Sequence, residues 1–180
     1  MFLQEAIETF EELKKYKYYI KTKKYGEFEL EFLNHHFKHL FGIHKLDLLI
    51  PKSATNASAL YKYLKKNHAK FEDQILLQIK DDIQLENRII HFNKINLLLS
   101  ATDLKLFKQH YVKHGSQFSS DYILYSDQLN IHLMLGIRQI NQLSVSVFPA
   151  SWMVDTRYDT PFVIRGIPAI TDVLISKKIK

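Results

Sequence analysis

The chain contains no cysteine among its 180 residues. This absence excludes disulfide bonds, zinc sites built on thiolates and a cysteine nucleophile. It is also typical of proteins that work in a reducing compartment, and we expect a cytoplasmic location. Glycine and proline are scarce, with five and four residues. Because these residues make most tight turns, we expect long helices and plain strands to dominate the fold.

Long apolar runs are also missing. No segment approaches the ~20 consecutive apolar residues that a helix needs to cross a bilayer. The acidic, amphipathic residues 1–8 lack the basic region and the apolar region of a signal peptide. We therefore expect neither a membrane segment nor a membrane partner.

The composition is nevertheless that of a folded and mildly basic protein. Apolar residues make up 46% of the chain, which is enough to form a core and argues against general disorder. The formal net charge of +6 permits binding to a polyanion, but solvated lysine side chains would give the same excess. Charge alone leaves both interpretations open.

Hydrophobic periodicity in the N-terminal part predicts a helix followed by a β-hairpin. Apolar residues recur at helical spacing over residues 2–15. Residues 16–22 are rich in aromatic and β-branched side chains, residues 27–32 alternate acidic with apolar side chains, and Tyr25-Gly26 lies between them. This order is typical of a hairpin with one buried face.

The remaining periodicity predicts a helical segment and then a sheet. Helical spacing predicts helices over residues 54–67, 71–80 and 84–100. Alternating or β-rich segments predict strands over residues 118–126, 130–140, 143–153 and 172–179. The predicted fold class is therefore α+β, with an N-terminal helix and hairpin, a central helical segment and a mostly antiparallel C-terminal sheet.

A histidine-rich stretch separates the predicted hairpin from the helical segment. It holds four of the nine histidines, at His35, His36, His39 and His44. Asn34 is positioned as a helix N-cap and Gly42 as a C-terminal stop, so a short helix is predicted over residues 35–41. Histidine exchanges a proton near neutral pH, which makes this stretch the first candidate for chemistry.

Two short motifs lie on either side of the predicted helical segment. Residues 37–42 have the pattern Phe-x-His-Leu-x-Gly, and the segment continues with His44-Lys45-Leu46. Residues 148–152 are Phe-Pro-Ala-Ser-Trp, an aromatic-Pro-x-Ser-aromatic pattern. In this order, with two predicted strands between them, they resemble the phage-encoded barnase–EndoU–colicin–RelE-like nucleases. The resemblance extends from Tyr18 onward, although residues 153–171 match no part of the family pattern.

The resemblance implies a fold and a function. The fold would be a barnase/RelE-like nuclease fold in a single domain, residues 1–180, with a helical insertion at residues 54–100. The implied activity is metal-independent cleavage of RNA, without a cofactor, by a toxin-like endoribonuclease of phages or mobile elements. RNA would then be the substrate, and an antitoxin or immunity protein would be a partner.

The resemblance also assigns catalytic roles. A metal-free ribonuclease needs a base for the ribose 2′-OH, an acid for the leaving 5′-oxygen, and a cation or hydrogen-bond donor for the developing charge. The motifs imply that His39 and His44 are the acid and base. Lys45 would be a phosphate ligand, and Ser151 would donate a hydrogen bond to phosphate. A purely structural role, such as bracing the helix end, remains the alternative for His39.

Three further residues are candidates for substrate binding, namely His132, Arg138 and Arg165. His132 lies mid-strand on the face opposite Ile131 and Leu133, and this face either lines the site or meets solvent. The resemblance leaves His35 and His36 without a role, and we expect both at the surface.

The histidine spacing also raises the question of a metal site. His35 and His39 are four residues apart, as two ligands on one helix would be, and so are His110 and His114. Neither pair has an acidic third ligand nearby, and His36 stands where the protease zinc motif needs glutamate. Because both ligand sets are incomplete, we expect no metal site.

Two other classes of function remain open. A non-catalytic module on the same scaffold would bind RNA or protein through its tyrosines and the lysines of one predicted helix, Lys62, Lys65 and Lys66. Its RNA binding would depend on salt and would survive substitution of His39. A structural phage protein is the third interpretation, for which the sequence offers no positive feature.

Overall fold

Helices occupy most of the first hundred residues. The computed structural model describes residues 2–108, 120–128, 131–141, 144–156 and 164–180. Its α-helices are α1 (Phe2–Lys14), α2 (Phe37–Phe41), α3 (Ala57–Ile79), α4 (Ile83–Ile90) and α5 (Ile95–Ser100). Short 3₁₀ helices lie at Asn34–His36, Ile43–Lys45, Lys52–Ala54 and Phe92–Lys94. No helix within these ranges is both long and apolar enough to cross a membrane.

One mixed sheet contains every strand of the described residues. The strands are β1 (Tyr16–Thr22), β2 (Gly26–Glu31), β3 (Lys105–Lys108), β4 (Tyr122–Gln128), β5 (Ile131–Gln139), β6 (Ser146–Asp155), β7 (Ala169–Ile170) and β8 (Leu174–Ile179). Their order in the curled sheet is β7-β3-β4-β5-β6-β2-β1-β8. All pairings are antiparallel except that of β2 with β6. The predicted α+β class with a mostly antiparallel sheet is therefore confirmed.

The predicted N-terminal helix and hairpin are both present. In β2, Phe28 and Leu30 are buried in the core, and the glutamates between and beside them lie on the opposite face. The register places Lys17 opposite Glu31 on this outer face. Opposite charges facing each other across two strands stabilise the pairing.

The central helical segment differs from its predicted boundaries. The helices predicted over residues 54–67 and 71–80 form one helix, α3, which is kinked at Asn67, where φ is -127°. The Asn67 side chain donates a hydrogen bond from Nδ2 to the carbonyl oxygen of Tyr63 at 2.8 Å, and such local bonds compete with the helical pattern. The helix predicted over residues 84–100 breaks at His91 into α4 and α5. Its apolar stripe stays buried across the break, at Leu85, Ile89, Phe92, Ile95, Leu98 and Leu99.

One short parallel pairing joins the hairpin to the C-terminal strands. β2 pairs with β6 only at Glu29–Ser146 and Leu30–Val147, and β8 returns to pair with β1. Strands β3 and β7 are four and two residues long, too short for an alternating pattern to predict them. The strand predicted from residue 118 begins at Tyr122, and residues 118–119 lie outside the described ranges.

An aromatic cluster fixes the short helix α2 in the core. The ring centroid of Phe37 lies 5.1 Å from that of Phe10, 5.0 Å from Tyr61 and 5.6 Å from Phe92. Each such pair contributes about 0.5–1.5 kcal/mol beyond the burial of its area. A five-residue helix is unstable in isolation. Packing, rather than helix propensity, therefore holds α2 and orients the histidines beside its buried face.

Gly42 ends α2 in a conformation that favours glycine. Its φ is +88°, and its N–H donates a hydrogen bond to the carbonyl oxygen of Lys38. A Cβ at this position would lie 2.6 Å from Cδ1 of Leu85 and 3.2 Å from Cδ of Arg88. The end of α2 therefore packs against α4 with no room for a side chain.

Gly42→Ala is expected to lower the free energy of unfolding by about 2–4 kcal/mol, because left-handed strain adds to overpacking against Leu85. Gly26→Ala is the matched control, since Gly26 also has a positive φ, of +74°, but nothing lies within 4 Å of an added Cβ. The control should lower the free energy of unfolding by only about 1–2 kcal/mol, because it has the left-handed strain without the overpacking. Chemical denaturation measures both variants, and equal losses would show that the contact with α4 is unimportant.

Candidate active site

A cleft of about 820 Å³ opens between β2 and β6, beside their short pairing. Its lining includes residues from both sequence motifs: His39, His44 and Lys45 from the first, and Phe148 and Ser151 from the second. Arg138 of β5 and Arg88 of α4 also line it. All four predicted catalytic residues, and one of the three predicted substrate-binding residues, thus lie in one cleft.

His39 and His44 lie side by side in this cleft. His39 is on α2 and His44 on the following 3₁₀ helix, and the left-handed turn at Gly42 connects the two. Their ring centroids are 5.2 Å apart, with an angle of 43° between the planes. Nδ1 of His44 lies 3.5 Å from the carbonyl oxygen of Lys38, at the outer limit of a hydrogen bond. This contact favours the tautomer in which Nδ1 carries the proton and Nε2 has a free lone pair.

Burial lowers the pKa of both His39 and His44 below the usual histidine value. The positive charges of Lys38 and His35 lower the pKa of His39 further. Those of His39 and Arg88 lower the pKa of His44 in the same way, and its contact with the Lys38 carbonyl oxygen opposes them. Both imidazoles are therefore mainly neutral at pH 7, in the form that accepts a proton.

Two cations lie beside the histidine pair. Burial, followed by the charge of Arg88, lowers the pKa of Lys45. Arg88 itself is only 8% exposed, and no carboxylate of the described residues forms an ion pair with its guanidinium within 4.0 Å. Burial lowers the pKa of Arg88, and the more distant Asp82 carboxylate opposes this shift only in part. A buried charge without an ion-pair partner is costly. The cleft is therefore prepared for an anion that enters and pairs with this guanidinium.

Arg88 is a cleft residue that was not predicted, although the sequence carries a signal for it. Arg88 follows Leu85 by three positions and precedes Phe92 by four, so it shares the buried stripe of α4. A charged residue on the apolar stripe of an amphipathic helix is either paired in the core or directed into a site. Here it lines the cleft, next to the glycine that ends α2.

The second motif places Ser151 next to an irregularity in the sheet. The register between β5 and β6 shifts between Gly136 and Ile137, which face Ser151 and Pro149. Such bulges redirect side chains and are frequent beside active sites. Ser151 is buried, and its partner across the strands, Gly136, has no side chain to cover it.

His36 is not a surface residue, contrary to the expectation from sequence. It is 6% exposed, because the 3₁₀ helix Asn34–His36 directs its ring toward Phe148, with the planes 16° apart and the centroids 5.8 Å apart. Its Nδ1 accepts a hydrogen bond of 3.0 Å from the backbone N–H of Leu33. Asn34 begins this 3₁₀ helix without a side-chain capping bond, so its predicted N-cap role is wrong. His35 is exposed, as expected.

One wall of the cleft is acidic. Glu29 and Glu31 project from the outer face of β2 and line the cleft. Nζ of Lys17 lies 3.0 Å from Oε2 of Glu29 and 3.1 Å from Oε1 of Glu31. Nζ of Lys180 lies 2.9 Å from Oε2 of Glu31. The cleft therefore has a cationic side, with Arg88, and an acidic side, which would repel phosphate.

The other two predicted substrate-binding residues lie elsewhere. His132 is buried, and its Nδ1 lies 2.8 Å from the hydroxyl oxygen of Tyr125. It thus neither lines the cleft nor meets solvent, because the face opposite Leu133 is covered by a second, smaller apolar cluster around Tyr125. Arg165 is exposed and does not line the cleft.

The described residues contain no group of three or more histidine, aspartate or glutamate side chains arranged to hold a metal ion. His35 and His39 both line the cleft, but no third ligand joins them within the described ranges. His110 and His114 lie outside those ranges.

Comparison with models of known protein families shows to which family the chain belongs. Residues 2–162 match the family described as phage-Barnase-EndoU-ColicinE5/D-RelE like nuclease4. The chain belongs to this family. The nuclease family covers both motifs and the helices between them, and its members are nucleases of the barnase, EndoU, colicin and RelE type. The nuclease resemblance of the two motifs is thereby confirmed, and the substrate class is a nucleic acid. Neither the curated proteins nor the solved structures contain a match to this nuclease.

The buried His36 is expected to make stability depend on pH. Burial, followed by the charges of His35 and His39, lowers its pKa from 6.5 to about 3. Between these values the unfolded chain binds a proton that the folded chain excludes, so stability rises with pH and is lost on acidification. We expect a loss of roughly 3 kcal/mol from this group between pH 6.5 and 4.

His36→Asn tests this expectation, because asparagine retains an acceptor for the Leu33 N–H but does not titrate. Denaturant unfolding at a series of pH values gives the slope for each protein. The variant should show the shallower slope below pH 6.5. If stability depended on pH equally in the two proteins, His36 would have the same protonation in the folded and unfolded states.

Proposed function

We propose that the chain is a metal-independent endoribonuclease, toxin-like and of phage or mobile-element type. The observation that carries this proposal is the convergence of two histidines and two cations in one cleft, namely His39, His44, Lys45 and Arg88. Cleavage of RNA by its own 2′-OH requires these groups: a base, an acid and positive charge at the phosphate. The expected product is a 2′,3′-cyclic phosphate.

His44 is assigned as the general base. Its Nδ1 faces the Lys38 carbonyl oxygen, which leaves the Nε2 lone pair to take the proton of the 2′-OH. The lowered pKa keeps this ring neutral at pH 7. As the proton moves to His44, the 2′-oxygen bonds to phosphorus and the bond from phosphorus to the 5′-oxygen breaks.

His39 is assigned as the general acid that protonates the leaving 5′-oxygen. Its ring lies 5.2 Å from that of His44, so both rings can contact one phosphodiester. The acid must carry a proton at the start of the reaction. A bound phosphate supplies the opposite charge that raises the pKa of a nearby imidazole, and it therefore favours the acid form of His39 in the complex.

The cationic side of the cleft would hold the phosphate. Arg88 and Lys45 stabilise the charge that develops on its non-bridging oxygens, and Ser151 donates a hydrogen bond to it. Arg138 lines the same cleft from β5 and binds the adjacent phosphate of the chain. Because the attacking group is the 2′-OH, the reaction is confined to RNA.

We expect the purified protein to cleave mixed RNA, but not DNA of the same sequence, in the presence of a chelator. His39→Ala and His44→Ala should each lower the rate about 10²- to 10⁴-fold. His68→Ala is the control, because His68 lies on α3 and does not line the cleft. Gel analysis and detection of cyclic phosphate ends measure the reaction. RNA that stays intact with and without divalent metal would contradict the proposal, and salt-dependent binding of intact RNA would favour a binding module.

An activated substrate separates the two histidine roles. A nucleoside 3′-phosphodiester with p-nitrophenolate as leaving group does not need protonation by an acid. With this substrate His39→Ala should recover most of the wild-type rate, whereas His44→Ala should remain slow because the 2′-OH still needs a base. Recovery by His44→Ala instead would reverse the two assignments.

Arg88→Met is expected to lower kcat/KM about 10²- to 10³-fold, as loss of one donor to a developing oxyanion does. The same change should leave the free energy of unfolding equal or higher, because methionine fills the site without burying an unpaired charge. Arg165→Met, at an exposed arginine outside the cleft, is the control. Steady-state kinetics measure kcat/KM, and denaturant unfolding measures the stability of each variant. A strongly destabilised Arg88→Met protein would indicate a structural role.

A further inference from the structure

The lining of the cleft also contains an apolar surface that phosphate chemistry does not use. Leu33 and Ile140 line it and are 45% and 65% exposed. Phe148 lies in the same lining and is partly exposed. Single exposed apolar side chains are ordinary, but three that line one cleft indicate a surface for an apolar ligand group.

Phe148 is held as a rigid platform. The His36 ring lies nearly parallel to it, at 16°, with 5.8 Å between centroids. His36 is itself fixed, because its Nδ1 accepts a hydrogen bond from the Leu33 backbone at 3.0 Å. A flat ring supported in this way offers its remaining surface for stacking with little loss of side-chain entropy.

This platform adjoins the phosphate-binding side of the cleft. Phe148 faces Arg138 directly across the β5–β6 ladder, and Ser151 follows three residues later on the same strand. A ligand that places the reacting phosphate at Ser151 and the adjacent phosphate at Arg138 therefore has the next chemical group beside Phe148. In a nucleotide, that group is the ribose, which carries the base.

The acidic wall beside the platform fits the edge of a base rather than its phosphate. Both oxygens of Glu31 are paired with lysines, whereas Lys17 contacts only Oε2 of Glu29. Oε1 of Glu29 has no hydrogen-bond partner among the described residues. A free carboxylate oxygen accepts a hydrogen bond from an amino or imino N–H at the edge of a base. In a duplex the imino N–H and one amino N–H are used in the base pair, and both faces of the base are covered by its stacked neighbours.

We propose that this end of the cleft is a subsite for an unpaired nucleobase, which stacks on Phe148 and donates an N–H to Oε1 of Glu29. The substrate class is therefore single-stranded or looped RNA, and duplex RNA is excluded. This proposal rests on the proposed function, because it takes the neighbouring phosphate site as given. The polarity of the cleft then orients the substrate, with the backbone toward Arg88 and the base toward Glu29.

An abasic scan tests the subsite without relying on cleavage. The His39→Ala/His44→Ala double variant is mixed with short single-stranded RNAs that lack one base at successive positions, and binding is followed by fluorescence anisotropy. Removal of one particular base should weaken binding roughly 5- to 150-fold, as loss of one stacked base does. In the same background Phe148→Ala should weaken binding of the complete RNA equally and make that base removal nearly neutral.

Matched variants distinguish stacking from general apolar contact. Phe148→Tyr should retain binding and Phe148→Leu should lose most of it, because leucine is apolar but has no ring face. Leu77→Ala, at an exposed residue of α3 outside the cleft, is the control and should have no effect. Glu29→Gln should change which base is preferred, because an amide both donates and accepts.

The outcomes separate this proposal from the proposed function. Equal binding by Phe148→Ala and its parent, or equal cleavage of an RNA alone and annealed to its complement, would overturn the base subsite while leaving the nuclease intact. If the wild-type protein cleaves nothing but the abasic penalty disappears in Phe148→Ala, the subsite stands and the catalytic assignment fails.

Discussion

The packing of aromatic rings around Phe37 is the interaction on which the rest of the site depends. Helix α2 has five residues and no side-chain cap, so it exists because Phe37 and Phe41 are buried against rings from α1, α3 and the segment after α4. Because the buried face of α2 is fixed in the core, the chain turns at Gly42 and packs against α4. This turn places His39 and His44 next to each other, and Arg88 packs against Gly42.

Segregation of charge in the cleft follows from two different elements. Two of the cations, Lys45 and Arg88, belong to the helices around the turn at Gly42, and Arg138 belongs to β5, whereas the carboxylates belong to the outer face of β2. The glutamates of β2 are paired with Lys17 of β1 and with Lys180, whereas no carboxylate in the described part of the chain lies within ion-pair distance of Arg88. In a structural ion pair both charges belong to the protein, whereas in an anion site the cation lacks a partner until the ligand binds. The imbalance on the helical side, rather than the net charge of the chain, therefore points to a phosphate ligand.

Prediction from sequence succeeded where the signal is local. The α1 stripe, the alternation in β2 and the stop at Gly42 depend on neighbouring residues, and each is observed. The pairing of β2 with β6 joins residues more than a hundred positions apart and leaves no local pattern. For the same reason the motif histidines could be proposed as candidates from local sequence, but Arg88 was overlooked in an apolar stripe. His132 was misjudged because strand alternation does not reveal that a second cluster covers the far face of the sheet.

The position of β8 has a consequence for the order in which the chain is made. β1 pairs with β2 within the first 31 residues, but its other edge is completed only by residues 174–179. Lys180, just beyond that strand, also carries the charge that balances Glu31 in the wall of the cleft. During synthesis the hairpin therefore keeps an open edge, and the acidic wall lacks one of its two lysines, until almost all of this sequence has emerged. The N-terminal hairpin and the acidic wall of the cleft are thus completed by one strand that lies more than 140 residues further along the chain.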